Sequence, residues 1–224
     1  MAPPAKILVF DTADTMEPAR PFDTARLPGK AGRKPAPDGI KSNRDLFYED
    51  QCSAHLVRFY DSTRVLSERM KDAFGISSCL PKTSNEDLAE ECILALSETM
   101  QDDSEHPSLR MACAIAIGSS GIEHLATIME RVLKSDSSIP SKILALKALS
   151  IARTEEALQL LTIVAKYGDV DEVCFAAAKE LASLPLYQAR KAAESILDSL
   201  PEAYIRHPEF AAELRRLLAE SPIN

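Results

Sequence analysis

From Asp45 onward, apolar residues recur at three- and four-residue steps. Leu56, Phe59, Tyr60, Thr63, Leu66, Met70 and Phe74 fall on one face of a helix, so the spacing predicts an amphipathic helix over about 45–74 with Gly75 as its C-cap. A polar loop with Cys79 and Pro81 follows. Ser84 or Asn85 then starts a second helix, with Leu88, Cys92, Leu96 and Met100 on its face, ending near the acidic run Asp102 to Glu105. At the other end, Phe210, Leu214, Leu217 and Leu218 follow Pro208 and predict a capping helix over about 208–220. The first residues read differently. Pro3, Pro4, Pro18, Pro21, Pro28, Pro35 and Pro37 lie within 37 residues, joined by Gly29, Gly32 and Gly39. Such a stretch holds no helix and carries too little apolar mass for a core. Residues 1–43 are therefore expected to form an extended or disordered Pro-rich arm. Its one apolar island, Lys6 to Phe10, offers Ile7, Val9 and Phe10 as docking side chains.

Between 106 and 203 the pattern repeats at a step of 32 residues. Ile117, Leu149 and Leu181 align. So do Leu125, Ala157 and Ala189; Ile128, Leu160 and Ala192; and Val132, Val164 and Ile196. The units run about 106–138, 139–170 and 171–203, each an Ala-rich helix, a break and a second amphipathic helix. Pro107 and Pro140 open two of them, where a first-turn proline costs no hydrogen bond. Gly118 to Gly121 and Ala152 to Thr154 supply internal breaks. A single helix pair cannot bury its apolar faces, but stacked pairs can, and small Ala residues let helices approach closely. The fold class expected is all-α, a right-handed superhelical solenoid of antiparallel helix pairs over 44–224, carrying the N-terminal arm. The helix at 86–101 fits a degenerate earlier unit.

The run Arg110-Met-Ala-Cys-Ala-Ile-Ala-Ile-Gly118, followed by Gly121-Ile-Glu-His-Leu-Ala-Thr-Ile-Met129, resembles a HEAT or armadillo-like helical repeat. Such repeats pair an R-x-x-A-x-x-A-L-G helix with one of L-x-x-L-L type. The likeness covers about 86–203 and concerns architecture, not one family. The units are shorter than usual HEAT repeats, and only the first has both the Arg and the Gly. Tetratricopeptide repeats, of period 34, are the competing resemblance. Tyr187, Ala193 and Pro201 fit them, whereas the lack of Trp and of a Gly-Tyr pattern weighs against them.

Composition narrows the function classes. The chain of 224 residues is 46% hydrophobic, with 5% aromatics, 7 Gly and no Trp. That balance favours helices over turn-rich sandwiches and barrels. A formal charge of −8 argues against nucleic acid and anionic lipid as partners. No window approaches 18 consecutive apolar residues, so no membrane span is expected. The run Ile7 to Phe10 is too short for a secretory leader core. Cys52, Cys79, Cys92, Cys113 and Cys174 are odd in number and form no CxxC pair, which points to buried thiols in the cytoplasm or nucleus rather than to disulfides or zinc.

Tests for chemistry return little. Ile7-Leu-Val-Phe-Asp11-Thr-Ala-Asp14-Thr resembles the opening of a haloacid-dehalogenase phosphatase. However, its acids stand three apart instead of two, and prolines follow where a helix is needed. HEAT-type hydroxylases bind iron through His-Glu dipeptides; here Glu105-His106 and Glu123-His124 run in reverse order. No Gly-rich phosphate loop and no G-x-S-x-G elbow occurs. The basic run Lys30 to Lys34, with Lys41 and Arg44, reads as a solvated tail or an acidic-partner segment.

The polar positions of the second helices also align at 32 residues: Glu123, Glu155 and Tyr187; Thr127, Gln159 and Lys191; Glu130, Thr162 and Glu194. In solenoids such rows share one long face. The expectation is a non-catalytic protein-interaction module, a scaffold, adaptor or complex subunit. It would use no cofactor and would grip a peptide or helical protein on these rows with help from the arm. Self-association through an uncapped end is a further expectation. The alternative is a HEAT-like enzyme or accessory factor dependent on a metal or cofactor.

Overall fold

A computed structural model describes residues 43–220. Within them the chain is all-helical: α1 (Asn43–Tyr60), α2 (Leu66–Cys79), α3 (Glu86–Gln101), α4 (Pro107–Ser119), α5 (Leu125–Lys134), α6 (Ile139–Ala152), α7 (Glu155–Tyr167), α8 (Asp171–Ser183), α9 (Tyr187–Ser199), α10 (Glu202–Arg206) and α11 (Pro208–Glu220), with a single 3₁₀ turn at Leu80–Lys82. No strand occurs among the described residues. None of the described helices is long and apolar enough to cross a membrane. The arm, with Ile7, Val9, Phe10 and the basic run Lys30 to Lys34, lies outside the described residues.

Local chemistry sets several helix starts. The Asn85 side chain accepts from Leu88 N at the start of α3, Ser138 from Ser141 N at α6, and Thr154 from Ala157 N at α7. Each fills a donor that the first turn leaves orphaned. His106 does the same for α4 through Ser108 N, with Pro107 in the first turn. Arg153 ends α6 in the left-handed region at φ 55°, and Leu200 ends α9 at φ 38°.

The single helix expected over 45–74 is instead two helices. Asp61 Oδ1 accepts from both the backbone N–H and the hydroxyl of Thr63, at 3.0 and 2.6 Å. This local turn competes with the helical ladder and breaks it between Tyr60 and Leu66. Gly75 is accordingly not a C-cap. It lies within α2 beneath the His55 ring of α1, where an added Cβ would come within 2.4 Å of the ring. Gly118 is likewise helical, in the last turn of α4, and not part of the break that follows.

The helices pack in chain order, in two rows. α2, α4, α6 and α8 form one row, each broadly against the next. α5, α7 and α9 follow one another in the second row, and α1 and α3 are neighbours ahead of them. Within the first row the helices run parallel. Arg110 Nη2 near the start of α4 meets Ser141 Oγ near the start of α6 at 2.8 Å, and Gly118 near the end of α4 lies against Ala148 and Ile151 of α6. Lys147 of α6 reaches Glu180 of α8 at 3.2 Å. α11 packs over α8 and α9. The apolar core runs continuously along this arrangement from Cys52 to Leu218.

Two arginines repeat one structural role. Arg69 Nε donates to Phe59 O at 3.2 Å and Arg110 Nε donates to Met100 O at 2.9 Å, each to the carbonyl ten residues earlier near the end of a preceding helix. Arg69 also grips Glu105 through both terminal nitrogens, at 3.1 and 2.7 Å. The guanidinium forks thereby tie three successive segments together, a geometry that a lysine cannot copy.

Candidate functional site

The polar rows lie where their helices place them. Glu123 is in the turn ahead of α5, while Glu155 and Tyr187 are the first residues of α7 and α9. Thr127, Gln159, Lys191 and Glu194 are exposed, whereas Glu130 and Thr162 are half-buried. α5 packs on α7 and α7 on α9, so the helices that carry most of these residues are neighbours. Several members are engaged within their own helix. Glu130 pairs with Lys134 at 2.7 Å and Glu194 with Arg190 at 3.1 Å. Gln159 donates to Glu155 at 3.3 Å, and the Thr162 hydroxyl donates to Leu158 O at 2.8 Å. Exposed pairs of this type add little energy and give way readily to a partner.

The first row presents a different surface. Met111 on α4 and Ile143 on α6 stand at equivalent positions of the 32-residue step, and they are 39% and 38% exposed. Ile139 adds 40% and Phe74 on α2 another 39%. Ile115 and Ile151 are partly exposed beside them. Neither α4 nor α6 contains an Asp or Glu, in a chain of net charge −8. The charged groups open to solvent on α6 are Lys142 and Lys147. The third equivalent of Met111 and Ile143 is Phe175 on α8, which the chain covers itself. Phe210 of α11 stacks on it with ring centroids 4.2 Å apart, and Lys179 Nζ lies 5.5 Å from its centroid. The signal for this surface was available in the sequence as the alignment of Met111, Ile143 and Phe175. A core reading of apolar residues in nearly all-apolar helices hid it.

Other clusters are structural. Asp72 is buried between α1 and α2, where burial pushes its carboxyl up. The hydrogen bonds from His55 and Arg58 and the charges of Arg58 and Arg64 outweigh this and hold it below the usual carboxylate range. All five cysteines are buried and free. Cys52, Cys79 and Cys92, distant in sequence, meet in the core of α1 to α3, and the neighbouring Cys92 thiol together with burial raises Cys52. Burial pushes Cys113 up to about 12 and Cys79 and Cys174 to about 11, well away from the thiolate range of reactive cysteines. Among the described residues, no three His, Cys, Asp or Glu side chains are grouped to hold a metal ion.

A cleft of about 640 Å³ opens at the ends of α7 and α9, lined by Lys166, Tyr167, Asp169, Cys174, Glu202 and Arg206 among others. Its charges are mixed. Arg206 is spent on Asp171 and Glu202, Lys166 donates to Ser195 at 2.9 Å, and the Cys174 thiol donates to Gly168 O at 3.2 Å.

No family model, curated protein or solved structure matches the chain. The functional reading therefore stands on the geometry of these surfaces.

Proposed function

We propose that this protein is a short α-solenoid of the HEAT or armadillo-like kind that works as a non-catalytic protein-interaction module, a scaffold, adaptor or complex subunit. The observation that carries the reading is the packing in chain order. Parallel first-row helices stack at a 32-residue step over 107–183, and their partners stack beside them. Such a stack buries one side of each row and leaves the other as a continuous ribbon, the surface on which repeat proteins bind partners. The first-row helices pack on one another more broadly than α5, α7 and α9 do. Closer packing on one side of a stack is how a superhelix curves, so the first row is assigned to the inner side.

The reading is tested by immobilising the full-length chain in native lysate at physiological salt. Three forms are compared: wild type, a Glu130→Lys plus Glu194→Lys variant, and a Met111→Glu plus Ile143→Glu variant. The expected result is a discrete partner set retained by wild type and lost by one variant pair. Retention of nothing beyond an inert carrier protein overturns the reading.

A further inference from the structure

We infer that the ribbon formed by α4 and α6 is a docking groove for an acidic amphipathic helix of a partner protein. The inference rests on the interaction-module reading and names the partner's chemistry. Two observations carry it.

The first is apolar and aligned. Met111 and Ile115 face outward on α4 and Ile139 and Ile143 on α6. Each pair stands four residues apart, about 6 Å along its helix, on parallel helices whose axes lie about 8–10 Å apart. A helix laid between them can present anchors at i, i+4 and i+7 to both, the helix-in-groove mode of recognition.

The second is charge. Lys142 and Lys147 sit on α6, Lys71 lies beside Phe74 on α2, and Lys179 lies on α8. The acids of the same row are Glu68, Asp72, Asp171, Glu172 and Glu180. Four of them are already engaged, Glu68 by Arg64, Asp72 by Arg58, Asp171 by Arg206 and Glu180 by Lys147, whose charge is thereby spent within the row. α3, ahead of the second row, carries Glu86, Asp87, Glu90, Glu91 and Glu98, whereas α5, α7 and α9 together carry as many bases as acids. An acidic helix is thus drawn to the α4–α6 side, where neither helix bears an acid, and repelled from α3.

The test uses a labelled 14-residue peptide. It keeps the spacing of Phe210, Leu214 and Leu217 and carries glutamate at every flanking position. Two controls are its scrambled isomer and a version with lysine for each glutamate. Fluorescence anisotropy with the full-length protein should show saturable binding of the acidic peptide, about tenfold tighter than either control. Met111→Glu with Ile143→Glu should weaken it by about tenfold or more, the loss expected of central anchors. Lys71→Glu with Lys142→Glu, two surface changes that spare the core, should weaken it about threefold to tenfold and flatten its salt dependence. Melting curves within a few degrees of wild type establish that each variant is folded.

Equal binding of the scrambled or lysine peptide, or no loss in both groove variants, overturns the inference. Loss confined to Glu130→Lys plus Glu194→Lys also overturns it, yet leaves the interaction-module reading standing on the other face. Absence of any peptide binding alongside a partner captured from lysate has the same consequence.

Discussion

Replacing Arg110 with alanine tests whether the stack is tied together by buried guanidinium forks or by apolar packing alone. The side chain is 8% exposed and reaches three segments. Nε donates to Met100 O at 2.9 Å, Nη2 to Ser141 Oγ at 2.8 Å, and Nη1 pairs with Asp103 at 2.6 Å. The Asp103 carboxylate is 57% exposed and contributes little. Two hydrogen bonds from a charged donor are worth about 1.5–3 kcal/mol each. Their removal strands the Met100 carbonyl at the end of α3, where no later helical N–H is available to it. Ser141 softens the loss, because its hydroxyl also lies 3.3 Å from Gln101 O and 3.0 Å from Ser138 Oγ. The expected destabilisation is about 3–5 kcal/mol, in the range for breaking a buried charged network. Arg110→Lys keeps the charge but not the fork and should lose roughly half of that. Urea unfolding followed by circular dichroism reads both values, with the slope reporting whether the transition stays cooperative. A loss below about 1 kcal/mol for the alanine variant, with an unchanged slope, would refute the reasoning and leave packing and the serine hydrogen bonds to Gln101 as the ties between α3, α4 and α6.

Three further outcomes are expected. Gly118→Ala should destabilise by about 1–3 kcal/mol despite alanine's better helix propensity, because its Cβ would lie 2.5 Å from the backbone oxygen of Ala148 and 2.8 Å from Ile151 Cβ; a rise in melting temperature would show that α4 and α6 can separate without cost. The Asp72 carboxyl is held below its ordinary 3.8, so the stability it contributes is present above that value and is lost as the pH falls through the depressed folded value. Melting temperatures from pH 6 down to pH 2.5 should therefore fall most steeply below about pH 4, and Asp72→Asn should be less stable at neutral pH but fall less; parallel curves for the two proteins would contradict this. The buried thiols, with Cys113 raised to about 12, should resist a thiol reagent at pH 8 in the native protein and react together on unfolding; rapid labelling of Cys113 at full folded signal would count against its place in the core.

The sequence by itself determined the helices and their order. That information is local. An apolar residue every three or four positions marks a helix wherever it folds, and side chains such as Asn85 and Thr154 cap the turn they begin. The 32-residue step is also legible, because equivalent positions of stacked units meet equivalent surroundings. The break between α1 and α2 was legible in principle, in Asp61 and Thr63, but a continuous apolar face ran through it. Tertiary structure alone decided which side of each helix is covered. α4 and α6 are apolar almost all round, so periodicity cannot say that Met111 and Ile143 are the residues left open. The same holds for Gly118, whose missing side chain matters only because Ala148 lies against it. It holds equally for Cys52, Cys79 and Cys92, which meet only when three helices pack. Arg69 and Arg110 share a role that no 32-residue alignment reveals, since they stand further apart than that step and are equivalent only in the carbonyls they bind. A side chain's pattern fixes its own helix, while its neighbours, and therefore its exposure, are fixed by segments 30 or more residues away.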